Sequence, residues 1–279
     1  MTKKIKLIKT YKILKTSPED KNLQEIQEYN ITGNLIYNKE FDETGSAVFE
    51  VSAQFDETGK PINEKSMNYL DDIEEIISYK YNDKGKLISE KTENKQGWTS
   101  IKKYERQNDG KTVKVSLLDE DDELEEMNIV ELNEKGDIVY NKHFDENEKQ
   151  KEVVKNSYDD SGKLILREEL DHKNRPEKVH HYYYTDAGNI SAVKTLNRKG
   201  KTIDWVKIEF DENEKPVEQF AMSGAKIKFI YNDDGSITEL KLGPGGEELS
   251  RVTNYFDEDK NLVKEDYGDY IIVYEHEFF

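Results

Sequence analysis

The chain has 279 residues, of which 60 are acidic and 42 are basic, and its formal net charge at pH 7 is −18. Only 34% of the residues are hydrophobic, and no run approaches the roughly 18 apolar residues of a membrane-spanning helix. The acidic balance argues against binding to nucleic-acid phosphates or to an anionic membrane surface, because both would repel the chain.

The predicted elements begin with a lysine-rich, strand-like segment within residues 1–28. Lysines are typical of a strand that lies exposed at the edge of a sheet, where their charge prevents pairing with other chains. We therefore expect an N-terminal edge strand here. The segment lacks the apolar core and the cleavage site of a signal peptide, so we expect a cytoplasmic protein. A secreted protein whose signal peptide had been removed would show the same sequence.

Residues 29–262 repeat one short motif, an aromatic residue followed by Asn, Asp or Thr, with a glycine four positions after the aromatic. Clear copies are YNITGNL (29–35), FDETGSA (41–47), FDETGKP (55–61), YNDKGKL (81–87), YDDSGKL (158–164), YTDAGNI (184–190) and YNDDGSI (231–237). The first residue of each copy is called the anchor, and weaker copies have leucine there or lack the glycine. Anchors from Leu118 to Phe210 lie alternately 14 and 12 residues apart, so the repeating unit has 26 residues and two turns.

Each motif has the sequence of a tight β-hairpin turn. Asn or Asp at the first turn position and Gly at the fourth favour a type I turn that is followed by a left-handed glycine. In YNDKGKL this places Asn82 opposite Lys86, and Tyr81 opposite Leu87. Where the glycine is missing, we expect Asn147 and Asn213 to supply the left-handed residue.

These spacings predict an all-β protein, a single antiparallel meander of about 20 strands built from 26-residue two-strand repeats. Because the anchor steps are even and strand side chains alternate, we expect every anchor on one face of the sheet. The array is expected to be continuous over residues 1–279, with the last strands in residues 263–279. Open twisted sheets rarely exceed about 10 strands, so the sheet should curl into a shell, a spiral or a barrel-like form.

The motif YDDSGKL (158–164) has Tyr, Asp, Gly and Leu in the order of the YD-repeat (RHS-like) family of bacterial proteins, and residues 29–262 resemble an array of such repeats. The resemblance implies a spiralling β-sheet shell, and a setting in polymorphic-toxin systems or on cell surfaces. The chain differs from the family in having Phe or Leu at many anchors, and residues 263–279 do not read as a toxin domain. These differences favour a stand-alone partner or immunity protein over a toxin carrier.

No motif for catalysis, for a cofactor or for a metal is present. The chain has no cysteine, which removes thiolate ligands and cysteine nucleophiles. Phosphate-binding glycine loops, G-x-S-x-G elbows and H-x-x-x-H pairs are also missing. His180 and His181 are adjacent and should point to opposite faces of a strand, so they cannot share a metal. We therefore expect a protein that is not an enzyme and that binds no cofactor or metal.

The acidic run at residues 119–126, with seven carboxylates in eight residues, is one candidate interface. A solvated turn is its simpler interpretation, and a docking surface for a basic protein is the functional one. Exposed Trp and Tyr are enriched at interfaces, although packing on a neighbouring strand is the alternative for them. The candidate interface residues are Asp119, Glu120, Asp121, Asp122, Glu123, Glu125, Glu126, Trp98, Trp205 and Tyr183.

Together these features predict a non-enzymatic repeat protein that binds another protein, one with a basic surface, through its acidic and aromatic residues. Its narrower form is a toxin-neutralising, immunity-type protein. The alternative is a cell-surface or periplasmic module that binds glycans through Trp98, Trp205 and the tyrosines. Neither nucleic acid nor membrane insertion is expected. The sequence leaves the oligomeric state and the closure of the sheet open.

Overall fold

The computed structural model describes residues 3–279, which form one antiparallel sheet of 22 strands with a three-residue 3₁₀ turn at Asn108–Gly110. No helix in this part of the chain is long and apolar enough to cross a membrane. The strands are β1 (Ile5–Leu14), β2 (Lys21–Tyr29), β3 (Leu35–Phe41), β4 (Ala47–Phe55), β5 (Pro61–Asn68), β6 (Ile73–Tyr81), β7 (Leu87–Asn94), β8 (Thr99–Gln107), β9 (Thr112–Leu118), β10 (Leu124–Leu132), β11 (Ile138–Asp145), β12 (Gln150–Tyr158), β13 (Leu164–Asp171), β14 (Pro176–Tyr184), β15 (Ile190–Asn197), β16 (Thr202–Phe210), β17 (Pro216–Ala221), β18 (Lys226–Tyr231), β19 (Ile237–Leu242), β20 (Glu248–Phe256), β21 (Leu262–Asp266) and β22 (Tyr270–Phe278).

Every strand pairs with its successor, and the first strand also pairs with the last, so the meander closes into a barrel. Lys9 of β1 lies opposite Ile26 of β2 on one side and opposite Glu275 of β22 on the other. The all-β meander is thereby confirmed. The prediction of an edge strand in residues 1–28 was wrong, because that segment holds two strands and β1 is hydrogen-bonded along both sides. A closed barrel has no edge that needs protection by lysines.

The predicted turn geometry is confirmed in YNDKGKL. The amide of Asn82 donates to the carbonyl oxygen of Lys86 at 2.9 Å, the amide of Gly85 donates back to Asn82 at 2.8 Å, and Tyr81 lies opposite Leu87. The side-chain oxygen Oδ1 of Asn82 also accepts the amides of Lys84 and Lys86. The Asn or Asp after the anchor therefore satisfies backbone donors that the turn itself leaves unpaired.

The prediction for the turns without glycine was wrong by one position. The left-handed residues there are Glu148 (φ 56°) and Glu214 (φ 58°), and not Asn147 and Asn213. Glu148 and Glu214 occupy the position that glycine has in the other copies, where Gly85 has φ 69°. The hydrogen-bond pattern of the turn fixes which residue is left-handed, and this constraint outweighs the greater ease with which Asn adopts that conformation.

The anchors do not share one face, because a one-residue β-bulge follows most turns. Tyr81 lies opposite Leu87, whereas its neighbour Lys80 lies opposite Ser89, so Ile88 is an extra residue on the second strand. An extra residue reverses which face the following side chains occupy. Successive anchors therefore alternate between the two faces, and the 26-residue unit is the distance between anchors on the same face.

The two faces of the sheet are named here after side chains that each carries. One, here called the tyrosine face, carries the tyrosine anchors Tyr81, Tyr158, Tyr184 and Tyr231. The other, here called the lysine face, carries lysines paired with acidic residues on neighbouring strands: Lys39 with Glu50, Lys142 with Glu131 and Lys155 with Glu168. Most side chains on both faces are only half-buried. Met127 and Val153, opposite neighbours of Phe144 and Lys142 on the lysine face, are the buried hydrophobic residues within 3–279.

A candidate protein interface at one rim of the barrel

The alternation of strand direction sorts the turns into two rims. Turns that follow even-numbered strands lie at one end of the barrel, and turns that follow odd-numbered strands lie at the other, here called the charged rim. Side-chain contacts between neighbouring turns agree with this arrangement. Lys95, after β7, forms an ion pair of 3.7 Å with Asp72, after β5. Lys12 and Asn22, beside the first turn, both contact Glu43, after β3.

The acidic run lies in the β9–β10 turn of the charged rim. Oδ1 of Asp119 accepts the amides of Asp121 and Glu123 at 3.0 and 2.8 Å, so Asp119 holds the turn together. Asp122 is left-handed (φ 61°) and forms an ion pair of 3.3 Å with Lys103. Glu120, Asp121 and Glu123 are exposed, and none of them forms an ion pair with another residue in 3–279. These three carboxylates are therefore available to a partner.

Glu125 and Glu126 belong to strand β10 and not to the turn. Glu125 is exposed at the register shift that follows Leu124. Glu126 is half-buried on the tyrosine face, opposite Leu117 and Asp145. The seven carboxylates therefore do not form one patch, and only the turn residues project from the rim.

Trp98 lies on the same rim, in the β7–β8 turn next to the acidic turn. Its amide donates to Oδ1 of Asn94 at 2.8 Å, and its side chain is 40% exposed. The next turn along the rim carries Tyr69, which is 43% exposed, and Leu70, which is 76% exposed, followed by Asp71 and Asp72. The structure thus brings an aromatic candidate and the acidic candidate together. We call the turns Tyr69–Asp72, Lys95–Trp98 and Asp119–Glu123 the acidic sector.

Trp205 and Tyr183 lie away from the acidic sector. Both are exposed, at 38% and 47%, as the sequence predicted. They occupy the lysine face, with Trp205 on β16 opposite Lys194 and Tyr183 on β14 opposite Ala192. Neighbouring strands are about 4.8 Å apart, and β16 lies six strand spacings from β10, so Trp205 is about 30 Å from the acidic turn along the sheet. The predicted interface residues therefore form two separate groups.

Sequence reasoning missed a basic sector on the charged rim, formed by the β13–β14 and β15–β16 turns. Its exposed basic residues are His172, Lys173, Arg175, Arg198, Lys199 and Lys201. The overall charge of −18 directed attention to acidic runs, and the two basic turns are separated in sequence by strands β14 and β15. Counting strand directions would have placed them next to each other.

Asp171, at the end of β13, organises the basic sector. It is only 8% exposed, its Oδ1 accepts the amides of Lys173 and Arg175, and its Oδ2 is bound by the Arg175 side chain at 2.6 Å. Arg198 of the next turn lies 3.9 Å from the same Oδ2. The Arg175 guanidinium and the two amides hold the pKa of the Asp171 carboxyl well below its usual range. Within residues 3–279, Lys173, Lys199 and Lys201 have no carboxylate partner.

The histidines are placed as the alternation predicted. His180 lies on the tyrosine face, where its ring nitrogens are 3.0 Å from Thr195 Oγ1 and 3.3 Å from Glu169 Oε1. His181 lies on the other face, opposite Leu166 and Lys194. In the part of the chain from residue 3 to residue 279, no group of three His, Asp or Glu side chains is arranged to hold a metal ion.

Comparison with known proteins gives only distant similarities. No family model matches the chain. No curated protein matches it either. Among solved structures, the chain is similar to the Photorhabdus luminescens Tc holotoxin pore, at 12% identity and a TM-score of 0.36, with 94% of this chain covered. It is similar to the TcdB2-TccC3-TEV structure at 11% identity and a TM-score of 0.36, with 96% of this chain covered. In both cases the chain spans only 18% of the matched chain.

A third similar structure is a porin-like protein from Bacteroides uniformis. The identity is 10% and the TM-score is 0.35, and the match covers 99% of this chain and 98% of that one. At these identities, the chain has a distant structural similarity to Tc toxin components and to a porin-like protein.

Proposed function

We propose that this protein is a non-enzymatic YD-repeat array that binds a protein with a basic surface through the acidic sector of its charged rim. The observation that carries the proposal is the grouping of Trp98, Tyr69 and Leu70, all exposed, with the unpaired carboxylates of the β9–β10 turn. Aromatic residues at the centre of an interface contribute most of the affinity, and charges around them steer the partner and select it.

The assignment to YD repeats is supported by what each motif residue does in the structure. The Tyr158 hydroxyl donates to the backbone of the preceding repeat, at the carbonyl oxygen of Ile138. The Asp159 side chain accepts the amide of Lys163 across the turn, and Gly162 takes the left-handed conformation with φ 92°. The tyrosine, the aspartate and the glycine of the motif are therefore each used in building one hairpin on the previous one.

In its narrower form, the partner is a basic toxin domain and the protein is its immunity-type inhibitor in the cytoplasm. The three unpaired carboxylates of the β9–β10 turn, Glu120, Asp121 and Glu123, supply negative charge of the kind that the phosphate-binding groove of a basic nuclease accepts. Binding of this kind would be fast at low salt and would weaken steeply as salt is added.

The glycan-binding alternative requires aromatic residues that line one surface. Trp98 is on the charged rim, whereas Tyr183 and Trp205 are on the lysine face, about 30 Å and about 40 Å away along the sheet. No single glycan site can include all three, so the alternative is the weaker of the two.

The test is a pull-down from the native cell with the wild type and with the triple variant Glu120→Lys/Asp121→Lys/Glu123→Lys. We expect a stoichiometric, basic partner that the wild type retains and the variant loses. The matched control is Asp83→Lys/Asp186→Lys/Asp233→Lys, which changes the net charge equally but in exposed turns of the opposite rim. The control should retain the partner. Equal retention by all three proteins, or no stoichiometric partner at all, would contradict the proposal.

A further inference from the structure

The acidic and basic sectors lie on the same rim, on either side of the β11–β12 turn formed by Glu146–Lys149. The acidic β9–β10 turn is one turn away from it in one direction, and the basic β13–β14 turn is one turn away in the other. Neighbouring turns on a rim are two strands apart, which is about 10 Å. Opposite charges therefore occupy equivalent positions relative to the β11–β12 turn.

A two-fold axis that passes through this turn, perpendicular to the barrel axis, places two such rims face to face. A turn that lies a given number of turns from the axis in one copy then meets, in the other copy, the turn that lies equally far from the axis on the opposite side, as in any isologous interface. The acidic turn, with Glu120, Asp121 and Glu123, meets the basic turn with Lys173 and Arg175. The same contact forms a second time, with the roles of the two copies exchanged.

The turns farther from the axis are also complementary. Two turns away on one side lies Trp98, and two turns away on the other side are Arg198, Lys199 and Lys201, which can place a cation over the indole ring. Three turns away lie Leu70 on one side and Met222 on the other, with side chains 76% and 46% exposed. Exposed apolar side chains thus meet each other three turns from the axis, and acidic side chains meet basic ones one turn from it.

We propose that the charged rim is a self-association surface, through which two copies of this chain form a two-fold, rim-to-rim dimer. In this dimer, the basic sector of each copy binds the acidic sector of the other. The proposal stands on the charge complementarity of the rim and not on the partner protein proposed above. It has one consequence for that function, because dimerisation covers the acidic sector and so competes with the basic partner.

The experiment is sedimentation velocity of the purified full chain at low and high salt, using two charge-reversal variants. The acid-reversed variant is Glu120→Lys/Asp121→Lys/Glu123→Lys, and the base-reversed variant is Lys173→Glu/Lys199→Glu/Lys201→Glu. None of the six side chains forms an ion pair within residues 3–279, so the barrel should be preserved, which circular dichroism checks. The wild type should form a species of twice 32.7 kDa at low salt and dissociate as salt is added.

Each variant alone should be monomeric, because the substituted side chains of its β9–β10 or β13–β14 turn then face charge of their own sign. An equimolar mixture of the two should recover the dimer, because both contacts are then complementary again. The Asp83→Lys/Asp186→Lys/Asp233→Lys protein is the control and should dimerise like the wild type. A wild type that stays monomeric at low salt, or variants that dimerise alone, would overturn the proposal. Neither result affects the pull-down above, so the two proposals fail separately.

Discussion

The hydroxyl of Tyr184 donates a hydrogen bond of 2.7 Å to the backbone carbonyl oxygen of Leu164, the residue that opens the strand after the preceding turn on the same rim. The ring of Tyr184 also lies under the ammonium group of Lys163, 5.3 Å from the ring centroid. Other tyrosine anchors repeat the hydroxyl bond, Tyr81 to Pro61, Tyr158 to Ile138 and Tyr231 to Pro216. In these four repeats the tyrosine of the motif therefore ties the repeat to the one before it.

We expect Tyr184→Phe to lower the free energy of unfolding by about 1 kcal/mol, since the hydroxyl bond is lost while the ring contact remains. Urea denaturation measures this directly. The matched control is Tyr183→Phe on the same strand, whose hydroxyl forms no hydrogen bond within residues 3–279 and which should change stability little. Equal effects of the two substitutions would show that the hydroxyl bond contributes nothing.

A second prediction concerns the left-handed residue in the turn after Phe144. Glu148 has φ 56°, a conformation that costs a non-glycine residue about 1 kcal/mol. We expect Glu148→Gly to raise the free energy of unfolding by about 0.5 kcal/mol, because relief of this strain exceeds the entropy that glycine adds to the unfolded chain.

The control for this prediction is Asn147→Gly one position earlier, where the backbone is not left-handed. There the added entropy has nothing to offset it, so stability should fall by about 0.5–1 kcal/mol. Thermal or urea unfolding of both proteins distinguishes the two positions, and a reversed order of stability would place the strain at Asn147.

The hairpin turns of this fold could be predicted from the sequence, but the face of the sheet on which each anchor lies could not. The pairing of Tyr81 with Leu87 follows from turn chemistry that four or five residues encode. The bulge at Ile88 has no comparable signal, because any residue can be the extra one. A single extra residue per hairpin was enough to send anchors to alternate faces.

The closure of the sheet into a barrel could not be predicted from the sequence either, since it depends on the pairing of β1 with β22 at the two ends of the chain. Individual features of the candidate site could be predicted from the sequence, but their arrangement could not. Exposure of Trp98 and of the acidic turn was expected, and the structure added that both lie on one rim. The basic sector around Asp171 was missed because its residues are adjacent only through the sheet.

A third prediction concerns the stability of the protein at low pH. The folded-state pKa of Asp171 lies below the value near 3.9 of an unfolded aspartate. Its contribution to stability is therefore complete above about pH 4 and is lost as the pH falls through the folded pKa. We expect Asp171→Asn to be less stable than the wild type at pH 7, with the difference shrinking below pH 4. Urea titrations at several pH values measure it, with Asp186→Asn in an exposed turn as the control. A difference that does not depend on pH would mean that the charge of Asp171 has no role.

The last prediction tests the closure of the barrel, which distinguishes it from an open spiral with the same hairpins. The chain has no cysteine, so the pair Lys9→Cys/Glu275→Cys would provide the only two thiols. These residues lie opposite each other where β1 meets β22, and opposite side chains on paired strands are about 5 Å apart. A short thiol-specific cross-linker should join them and close a loop of almost the whole chain, which moves faster in a denaturing gel. The cross-link should also stabilise the fold against urea, because it restricts the unfolded chain.

The pair Lys9→Cys/Glu64→Cys, with Glu64 on β5, is the control and should stay unlinked. Failure of the first pair to link, or equal linking of both, would mean that β1 and β22 do not pair in solution.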